Sequence, residues 1–202
     1  KRQLRECHIP VRALARSPEK AEAIKGDGVQ IHLGDLNDDL PWDELMDGVQ
    51  AVITTLGTRL VGDLAQLEAI EYIAVGRIVD EANVSGVSHL VFTSSIGTQH
   101  PDSIPFLSQI LWIKRKAELY VMRSPLTYTI VRPGGLTNDP PMNAVKVGRG
   151  DTLQGRITRA DVAQVLVQAL LQPEARNQAV EIVNEQGAGP ADRPGLFAPS
   201  GS

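Results

Sequence analysis

The sequence lacks several features that define other classes of protein. Its 202 residues contain one cysteine, Cys7, which excludes an intramolecular disulfide framework and a multi-cysteine metal site. No apolar run approaches the roughly 20 residues that a membrane-spanning helix needs, and the charged opening from Lys1 to Glu6 is not that of a signal peptide. The net charge of −4, with both signs scattered, argues against a nucleic-acid-binding surface. We therefore expect a soluble protein of the cytoplasm, or of an organelle stroma if a transit peptide has been removed.

Strand-like and helix-like segments alternate along the chain. Strands are predicted, from period-two alternation or β-branched runs, at Ile9–Leu14, Val29–Leu33, Ala51–Thr55, His89–Thr93, Thr127–Val131 and Gln178–Val183. Helices are predicted from Pro18 onward and at Asp63–Asn83, Ile110–Arg123 and Val162–Leu171. Strands separated by helices indicate a mostly parallel sheet covered on both faces. The expected fold class is α/β, a doubly wound, Rossmann-like single domain over residues 1–186.

Two local patterns refine this outline. The longest predicted helix, Asp63–Asn83, has an apolar face formed by Leu67, Ile70, Ala74 and Ile78. Thr158 to Asp161 forms a predicted capping box that opens the last helix. The segment 187–202 is rich in Gly, Pro, Ser and Ala and has no periodicity, so we expect a disordered tail or a linker there.

The beginning of the chain departs from the usual order of such a domain. Lys1–His8 resembles the second half of a helix, whereas a doubly wound domain begins with a strand and a glycine-rich turn before that helix. No G-x-G-x-x-G motif, the motif that holds a pyrophosphate, is present in the sequence. We therefore expect either that the sequence is a fragment or that the molecule has lost its phosphate loop.

Small and polar residues follow five consecutive predicted strands. These segments are Ala15–Pro18, Gly34–Leu36, Thr54–Thr58, Ser94–Gly97 and Arg132–Leu136. Loops of α/β proteins favour Gly, Ser and Thr in any case, so each segment alone is compatible with an ordinary turn. The carboxyl ends of parallel strands, however, share the edge at which ligands bind. The five segments together favour a nucleotide-binding edge.

Six of these segments carry a family resemblance. VRALARSPEKA, GDL, VITTLGTR, LVFTSSIG, KRKAE and YTIVRPGGL, in this order, resemble the atypical short-chain dehydrogenase/reductases. The branch they resemble is the NmrA-like NAD(P)H-binding group, which includes flavin/biliverdin-IXβ reductases. The resemblance extends from Lys1 to about residue 185. It implies a Rossmann-like fold and a nicotinamide cofactor, but the family includes reductases, isomerases, redox-sensing regulators and assembly factors.

The resemblance also assigns cofactor-binding roles. Arg16 matches the family's basic residue for the adenosine 2′-phosphate, and an acidic residue would stand there in an NAD-selective site. Arg16, with Lys20 one turn further, favours NADP over NAD, although a solvated arginine would look the same. Asp35 would accept from the adenine amino group, or cap the segment at Asn37, or both. The other implied cofactor-binding residues are Leu36, which would cover the adenine ring, and Thr55, Leu56, Gly57, Ser94, Lys114, Pro133, Gly134, Gly135 and Leu136.

The catalytic pattern of the classical relatives is incomplete in this sequence. In the classical relatives, a tyrosine that stands four residues before a lysine acts as the acid. In this sequence the residue four positions before Lys114 is Ile110, and the residue four positions before Lys116 is Trp112. Tyr120 and Tyr128 lie downstream of both lysines. We predict Lys114 and Ser95 as the candidate catalytic residues, with Lys114 binding the nicotinamide ribose or a substrate oxygen and Ser95 contacting the nicotinamide or a substrate. Ser94 and Ser95 are equally compatible with capping hydroxyls at a strand end. Residues two positions apart on a helix point about 200° apart, so the two lysines cannot both face the cofactor. We predict that Lys114 faces it and that Lys116 is solvated.

Two functions from different classes remain open at this stage. The first is an NADPH-dependent reductase of a flavin, quinone or similar planar acceptor, and the second is a non-catalytic NADP(H) sensor or scaffold that associates with a protein partner. A metal site is not expected, because the four histidines lack metal-ligand spacing. Cys7 is expected to be a partly buried structural residue at a helix end rather than a reactive thiol.

Overall fold

The computed structural model describes Leu4, residues 9–57 and residues 63–198. Apart from Leu4, the predicted helix end Lys1–His8 lies outside the described residues, and so does the prediction of Cys7 as a partly buried structural residue. The chain divides between Val49 and Gln50 into two compact units, which we call the N-terminal and the C-terminal unit. The α/β fold class with a mostly parallel sheet is confirmed, and the two units are described in turn.

The N-terminal unit contains one pair of parallel strands. Strand β1 (Val11–Ala15) pairs with β2 (Val29–Leu33) in a register that runs from Val11 opposite Val29 to Ala15 opposite Leu33. Helix α1 (Pro18–Ile24) connects them, with proline at its first position and the Ser17 side chain accepting a hydrogen bond from the backbone N–H of Lys20. A short helix, α2 (Trp42–Met46), follows β2. Both strands therefore end on the same side of this pair.

The C-terminal unit is built around a five-stranded sheet. Its strands are β3 (Ala51–Thr54), β4 (His89–Thr93), β5 (Tyr128–Pro133), β9 (Gln178–Asn184) and β7 (Val145–Gly148), in this spatial order. The first four strands run parallel, and β7 pairs antiparallel with β9. Two short strands, β6 (Gly135–Thr137) and β8 (Arg156–Thr158), form a separate parallel pair. The carboxyl ends of β3, β4, β5 and β9 thus lie along one edge.

The helices of this unit begin with a continuous run over residues 64–84. It comprises α3 (Leu64–Glu68), a π-helical turn (Ala69–Ile73) and α4 (Ala74–Val84). The sequence predicts this helix but not its wider turn, where Glu71 is buried and Ile70 only half-buried. The remaining helices are α5 (Ser108–Arg123) and α6 (Arg159–Leu171), and three 3₁₀ turns occupy Pro101–Ser103, Pro105–Leu107 and Pro173–Ala175. None of the helices among the described residues is long and apolar enough to cross a membrane.

The start of α6 confirms the predicted capping. The hydroxyl of Thr158 accepts a hydrogen bond from the backbone N–H of Asp161 at 3.0 Å and donates to the Asp161 carboxylate at 2.9 Å. Asp161 also accepts from the backbone N–H groups of Met142 and Asn143, at 2.9 and 3.1 Å. The helix begins at Arg159, three residues before the predicted Val162. This single buried carboxylate therefore joins the helix start to the loop before β7.

The expectation of a disordered tail does not hold for residues 187–198. Ala191, Leu196 and Phe197 are buried in the same apolar cluster as residues of β5, β9 and α6. The carbonyl of Phe197 accepts from the Arg149 side chain at 2.8 Å, and Leu196 donates its backbone N–H to the Gln172 side chain at 3.0 Å. A few apolar side chains thus anchor a segment whose composition resembles that of a linker. Its last four residues lie outside the described part of the chain.

Candidate nucleotide-binding site

In the N-terminal unit, Arg16 and Asp35 follow the two parallel strands directly. The Arg16 guanidinium lies 4.0 Å from Asp35 Oδ2, and its side chain is 57% exposed. Asp35 Oδ1 accepts hydrogen bonds from the backbone N–H and the side-chain amide of Asn37, at 3.0 and 2.9 Å. The carboxylate therefore caps a turn and not a helix, because α2 begins only at Trp42. Leu36, the next predicted cofactor residue, is half-buried.

At the end of β3, the structure places a buried hydroxyl group next to three more open residues. Thr54 is 4% exposed, and its Oγ1 is buried without a hydrogen-bond partner. The predicted residues Thr55 and Gly57 are exposed and Leu56 is half-buried. A Cβ atom added at Gly57 would lie 3.9 Å from Glu71 Oε1. The carboxylate of the π-helical turn therefore lies close to the backbone of this strand end.

At the end of β4, the two serines differ in their surroundings. Ser94 is buried, and its Oγ has no hydrogen-bond partner. Ser95 is half-buried and donates its hydroxyl to the carbonyl of Ile96 at 3.0 Å, within the turn that follows the strand. The buried Thr93 Oγ1 is also unpaired. Buried hydroxyl groups are seldom left without a partner in native proteins, so unpaired ones at a strand edge fit a polar ligand.

The loop after β4 is held in place by two acidic residues that the sequence did not single out. The Asp151 carboxylate accepts backbone N–H bonds from Gly97, Gln99 and His100 at 3.1, 2.7 and 3.2 Å. The Thr98 hydroxyl donates to Glu118 Oε1 at 2.9 Å. These bonds fix the segment that begins with Ser95.

Glu118 belongs to a buried ion pair behind this loop. Its two carboxylate oxygens accept from Nε and Nη2 of Arg132 at 2.8 and 2.9 Å, and Arg132 is 2% exposed. Bidentate pairs of this kind combine charge with fixed geometry. In the sequence analysis both residues belong to segments that carry the family resemblance, but neither is assigned a role of its own. No local pattern identifies such a pair, because its members lie 14 residues apart on different elements.

The predicted residues after β5 have a close backbone neighbour. Pro133 is buried at the strand end, while Gly135 and Leu136 are exposed. A Cβ atom added at Gly134 would collide with the carbonyl oxygen of Gly155. Glycine at this position is therefore required by the approach of the loop before β8, whatever else the segment binds.

Helix α5 places its two lysines on different sides, as predicted. Lys114 is 9% exposed, whereas the Lys116 side chain is 52% exposed. Lys114 Nζ donates to Glu71 Oε2 at 2.7 Å. Trp112, which stands four residues before Lys116, is 53% exposed and donates its indole N–H to Asp102 on the protein surface. Lys114 is thus the lysine that lies on the buried side of the helix.

Among residues 9–57 and 63–198, no three His, Cys, Asp or Glu side chains form a group that could hold a metal ion. In the C-terminal unit, unpaired hydroxyls lie at the ends of β3 and β4, and helix α5 carries the Lys114 ammonium. Such groups bind phosphate, ribose and amide oxygens. Together with the parallel strands, they define a nucleotide-binding protein of the Rossmann-like class.

The comparisons with known proteins identify the family. A family model described as NAD(P)H-binding matches residues 1–173. A chloroplastic protein of Arabidopsis thaliana is 36% identical over 211 residues, which is 97% of this chain and 75% of that protein. The sanguinarine reductase of Eschscholzia californica is 29% identical over 229 residues, with 91% and 82% of the two chains covered. The chain belongs to the NAD(P)H-binding family, which confirms the predicted resemblance and the oxidoreductase-like class.

Solved structures support the same fold. A putative NAD-dependent epimerase/dehydratase from Bacillus halodurans has a TM-score of 0.85 at 27% identity, covering 94% of this chain and 88% of its own. The anaerobilin reductase ChuY of Escherichia coli O157:H7 has a TM-score of 0.75 at 25% identity, with 92% and 89% of the chains covered. The Rossmann-like α/β fold is therefore confirmed.

Proposed function

We propose that this protein is an NADPH-dependent reductase whose acceptor is a flavin, a quinone or a similar planar molecule. The observation that carries the proposal is the set of buried, unpaired hydroxyls of Thr54, Thr93 and Ser94 at the ends of two neighbouring parallel strands. A ligand rich in ribose and phosphate oxygens would satisfy them. Membership of the NAD(P)H-binding family, and the reductase activities for which two relatives are named, support the same function.

In the N-terminal unit, Arg16 is the residue proposed to select NADPH over NADH. Its guanidinium is exposed at a strand end and has Asp35 4.0 Å away, so its donors are open to solvent. A guanidinium binds phosphate in a bidentate manner that an ordinary ribose hydroxyl does not reproduce. Asp35 and Leu36 are proposed to contact the adenine.

In the C-terminal unit, Lys114 is proposed to hold the nicotinamide ribose and Ser95 to contact the nicotinamide or the acceptor. Bound NADPH supplies the hydride. The remaining proposed cofactor contacts are Thr55, Leu56, Gly57, Ser94, Pro133, Gly134, Gly135 and Leu136. The residues four positions before the two lysines of this helix are Ile110 and Trp112, and neither side chain can donate a phenolic proton. A planar acceptor that takes its proton from solvent tolerates this arrangement.

Calorimetric titration of the full-length protein with NADPH and with NADH tests the cofactor proposal. We expect NADPH to bind more tightly, and equal affinity or no binding would overturn the proposal. The loss of NADPH absorbance with a panel of flavins and quinones then tests turnover. NADPH binding without turnover of any acceptor would favour the alternative, a non-catalytic NADP(H) sensor or scaffold. The chloroplastic location named for one relative supports an organelle stroma as the compartment.

A further inference from the structure

Glu71 has a buried carboxylate at the proposed site, and the proposed function does not yet account for it. It is 1% exposed and lies in the π-helical turn Ala69–Ile73. Turns of this type are rare and are found frequently at functional sites. Its Oε1 lies 3.9 Å from the position of a Cβ added at Gly57, and its Oε2 accepts from Lys114. The carboxylate therefore lies close to the end of β3 and is bonded to helix α5.

The Lys114 ammonium depends on this carboxylate for its direction. An ammonium group has three N–H donors, and in the described part of the chain Glu71 is the one acceptor that contacts it, at 2.7 Å. A lysine side chain has many rotamers, so an ammonium without a fixed acceptor would sample several positions. The bond to Glu71 selects one of them and leaves two donors for another acceptor.

We propose that Glu71 is a positioning residue, which holds the Lys114 ammonium so that its remaining donors reach the nicotinamide ribose of the cofactor. This inference rests on the proposed function and deepens it. Glu71 acts through Lys114 and does not itself contact the substrate in this scheme. Glu71 lies within the π-helical turn and on the buried side of the helix, where it is the acidic member of a face that is otherwise mostly apolar.

The chain provides a matched control for this proposal. Lys116 Nζ donates to Glu68 Oε1 at 2.6 Å, and this second pair joins the same two helical segments on their exposed side. Its Glu and Lys carry the same charges as the buried pair, and both of its side chains are about half exposed. A Glu68→Gln substitution therefore removes the same type of ion pair without touching the proposed site.

The test compares two ligands in calorimetric titrations of the full-length protein. The ligands are NADPH and adenosine 2′,5′-bisphosphate, which lacks the nicotinamide ribose. In Glu71→Gln we expect NADPH affinity to fall about tenfold, the effect of one displaced charge-assisted hydrogen bond, with the bisphosphate affinity unchanged. In Glu68→Gln both affinities should stay at the parent value. A general loss of structure would lower both affinities, and an equal loss for both ligands would overturn the proposal.

A double-mutant cycle tests whether Glu71 acts through Lys114. In a Lys114→Met background, the Glu71→Gln substitution should leave NADPH affinity unchanged, because the ammonium that it positions is gone. The same loss in both backgrounds would overturn the proposal. If Glu71→Gln does not fold, Glu71→Asp retains the charge while withdrawing the carboxylate, and it should show the same selective loss. A parent protein that binds the bisphosphate but not NADPH, or neither, would instead overturn the proposed function.

Discussion

Helix α5 carries two stripes of side chains that use the same kinds of charge in different surroundings. On the inner stripe, Lys114 and Glu118 are buried and pair with Glu71 and Arg132. On the outer stripe, Lys116 pairs with Glu68 in partial exposure, and Tyr120 donates its hydroxyl to Asp80 at 2.7 Å. Each inner residue stands two positions before its outer counterpart.

This difference shows that the N–O distance alone does not determine how strongly an ion pair fixes the position of the helix. The Lys116–Glu68 bond, at 2.6 Å, is as short as the Lys114–Glu71 bond at 2.7 Å. Water competes for the exposed pair and supports either partner when the other is removed. A buried partner that is left alone keeps its charge in a medium that solvates it poorly. The pairs of the inner stripe therefore fix the packing of the helix, whereas the pairs of the outer stripe do not.

The largest effect is expected when the buried Lys114–Glu71 pair is broken. Glu71→Gln leaves the Lys114 ammonium buried without a carboxylate, and breaking a buried pair in this way costs about 3–5 kcal/mol of unfolding free energy. Urea unfolding followed by circular dichroism measures it. Glu68→Gln serves as the control and should leave the unfolding midpoint nearly unchanged. Equal losses in the two variants would show that the two stripes are not distinct.

The rotation of this helix was predictable, but the partners of its inner stripe were not. Ile110, Leu111 and Ala117 form an apolar pattern that places Lys114 inward. The apolar residues around Glu71 predict a buried face through Ile70, whereas in the structure Glu71 is buried and Ile70 is only half-buried. An acidic residue is usually exposed unless it is paired. Its partner lies 43 residues away, so no local pattern could reveal it.

In the fold, too, features that depend on neighbouring residues in the sequence were predictable, and features that depend on distant residues were not. The limits of Val29–Leu33 and His89–Thr93 were predicted as observed, because β-branched and alternating residues mark both strands. The short strands β6, β7 and β8 have too few residues to show a period. Phe197 is buried although it stands in a segment rich in Gly, Pro and Ala, and its place in the core depends on residues of α6 and β9. Composition alone therefore gave a wrong prediction for the segment 187–198.

The second prediction concerns Arg16, an exposed charged residue whose main partner would be the bound cofactor. Arg16 resembles the outer stripe in its exposure, so Arg16→Ala should change stability little. It should nevertheless remove most of the preference for NADPH, since a charge-assisted contact to the 2′-phosphate is worth about 1.5–3 kcal/mol. Titration with NADPH and NADH measures the ratio of affinities. A preference that survives the substitution would assign phosphate recognition to another residue.

The third prediction concerns His89, a buried titratable group whose hydrogen-bond partner is a neutral hydroxyl. His89 Nε2 lies 2.9 Å from the Thr129 hydroxyl, which donates to the carbonyl of Ala175 at 2.7 Å, so Nε2 must donate to that hydroxyl oxygen. Burial, followed by the positive charge of Arg176, lowers the pKa of His89 below its ordinary value of 6.5. The folded protein therefore takes up this proton at a lower pH than the unfolded chain does.

The stability that neutral His89 contributes is complete above about pH 6.5 and decreases as the pH falls below that value. Urea unfolding at about pH 7.5 and about pH 5.5 measures this decrease. His89→Gln has no proton to take up, and it retains a donor for Thr129. We expect the variant to lose less stability than the parent between the two pH values. The same loss in both proteins would mean that other groups cause the pH dependence.

The smallest predicted effect is at Tyr120, the one tyrosine on the outer stripe. Its hydrogen bond to Asp80 is the main cause that raises its pKa, with a smaller contribution from burial, and its ring packs edge-on against Tyr72 with the centroids 6.2 Å apart. A phenol that is held on the outer face and keeps its proton is a poor candidate for the acid of a reductase. Where turnover is found, Tyr120→Phe should therefore leave the pH–rate profile unchanged, and stopped-flow measurement of NADPH oxidation across the pH range checks this. A bell-shaped profile that loses one limb in Tyr120→Phe would place the outer stripe, and not Lys114, at the reacting centre.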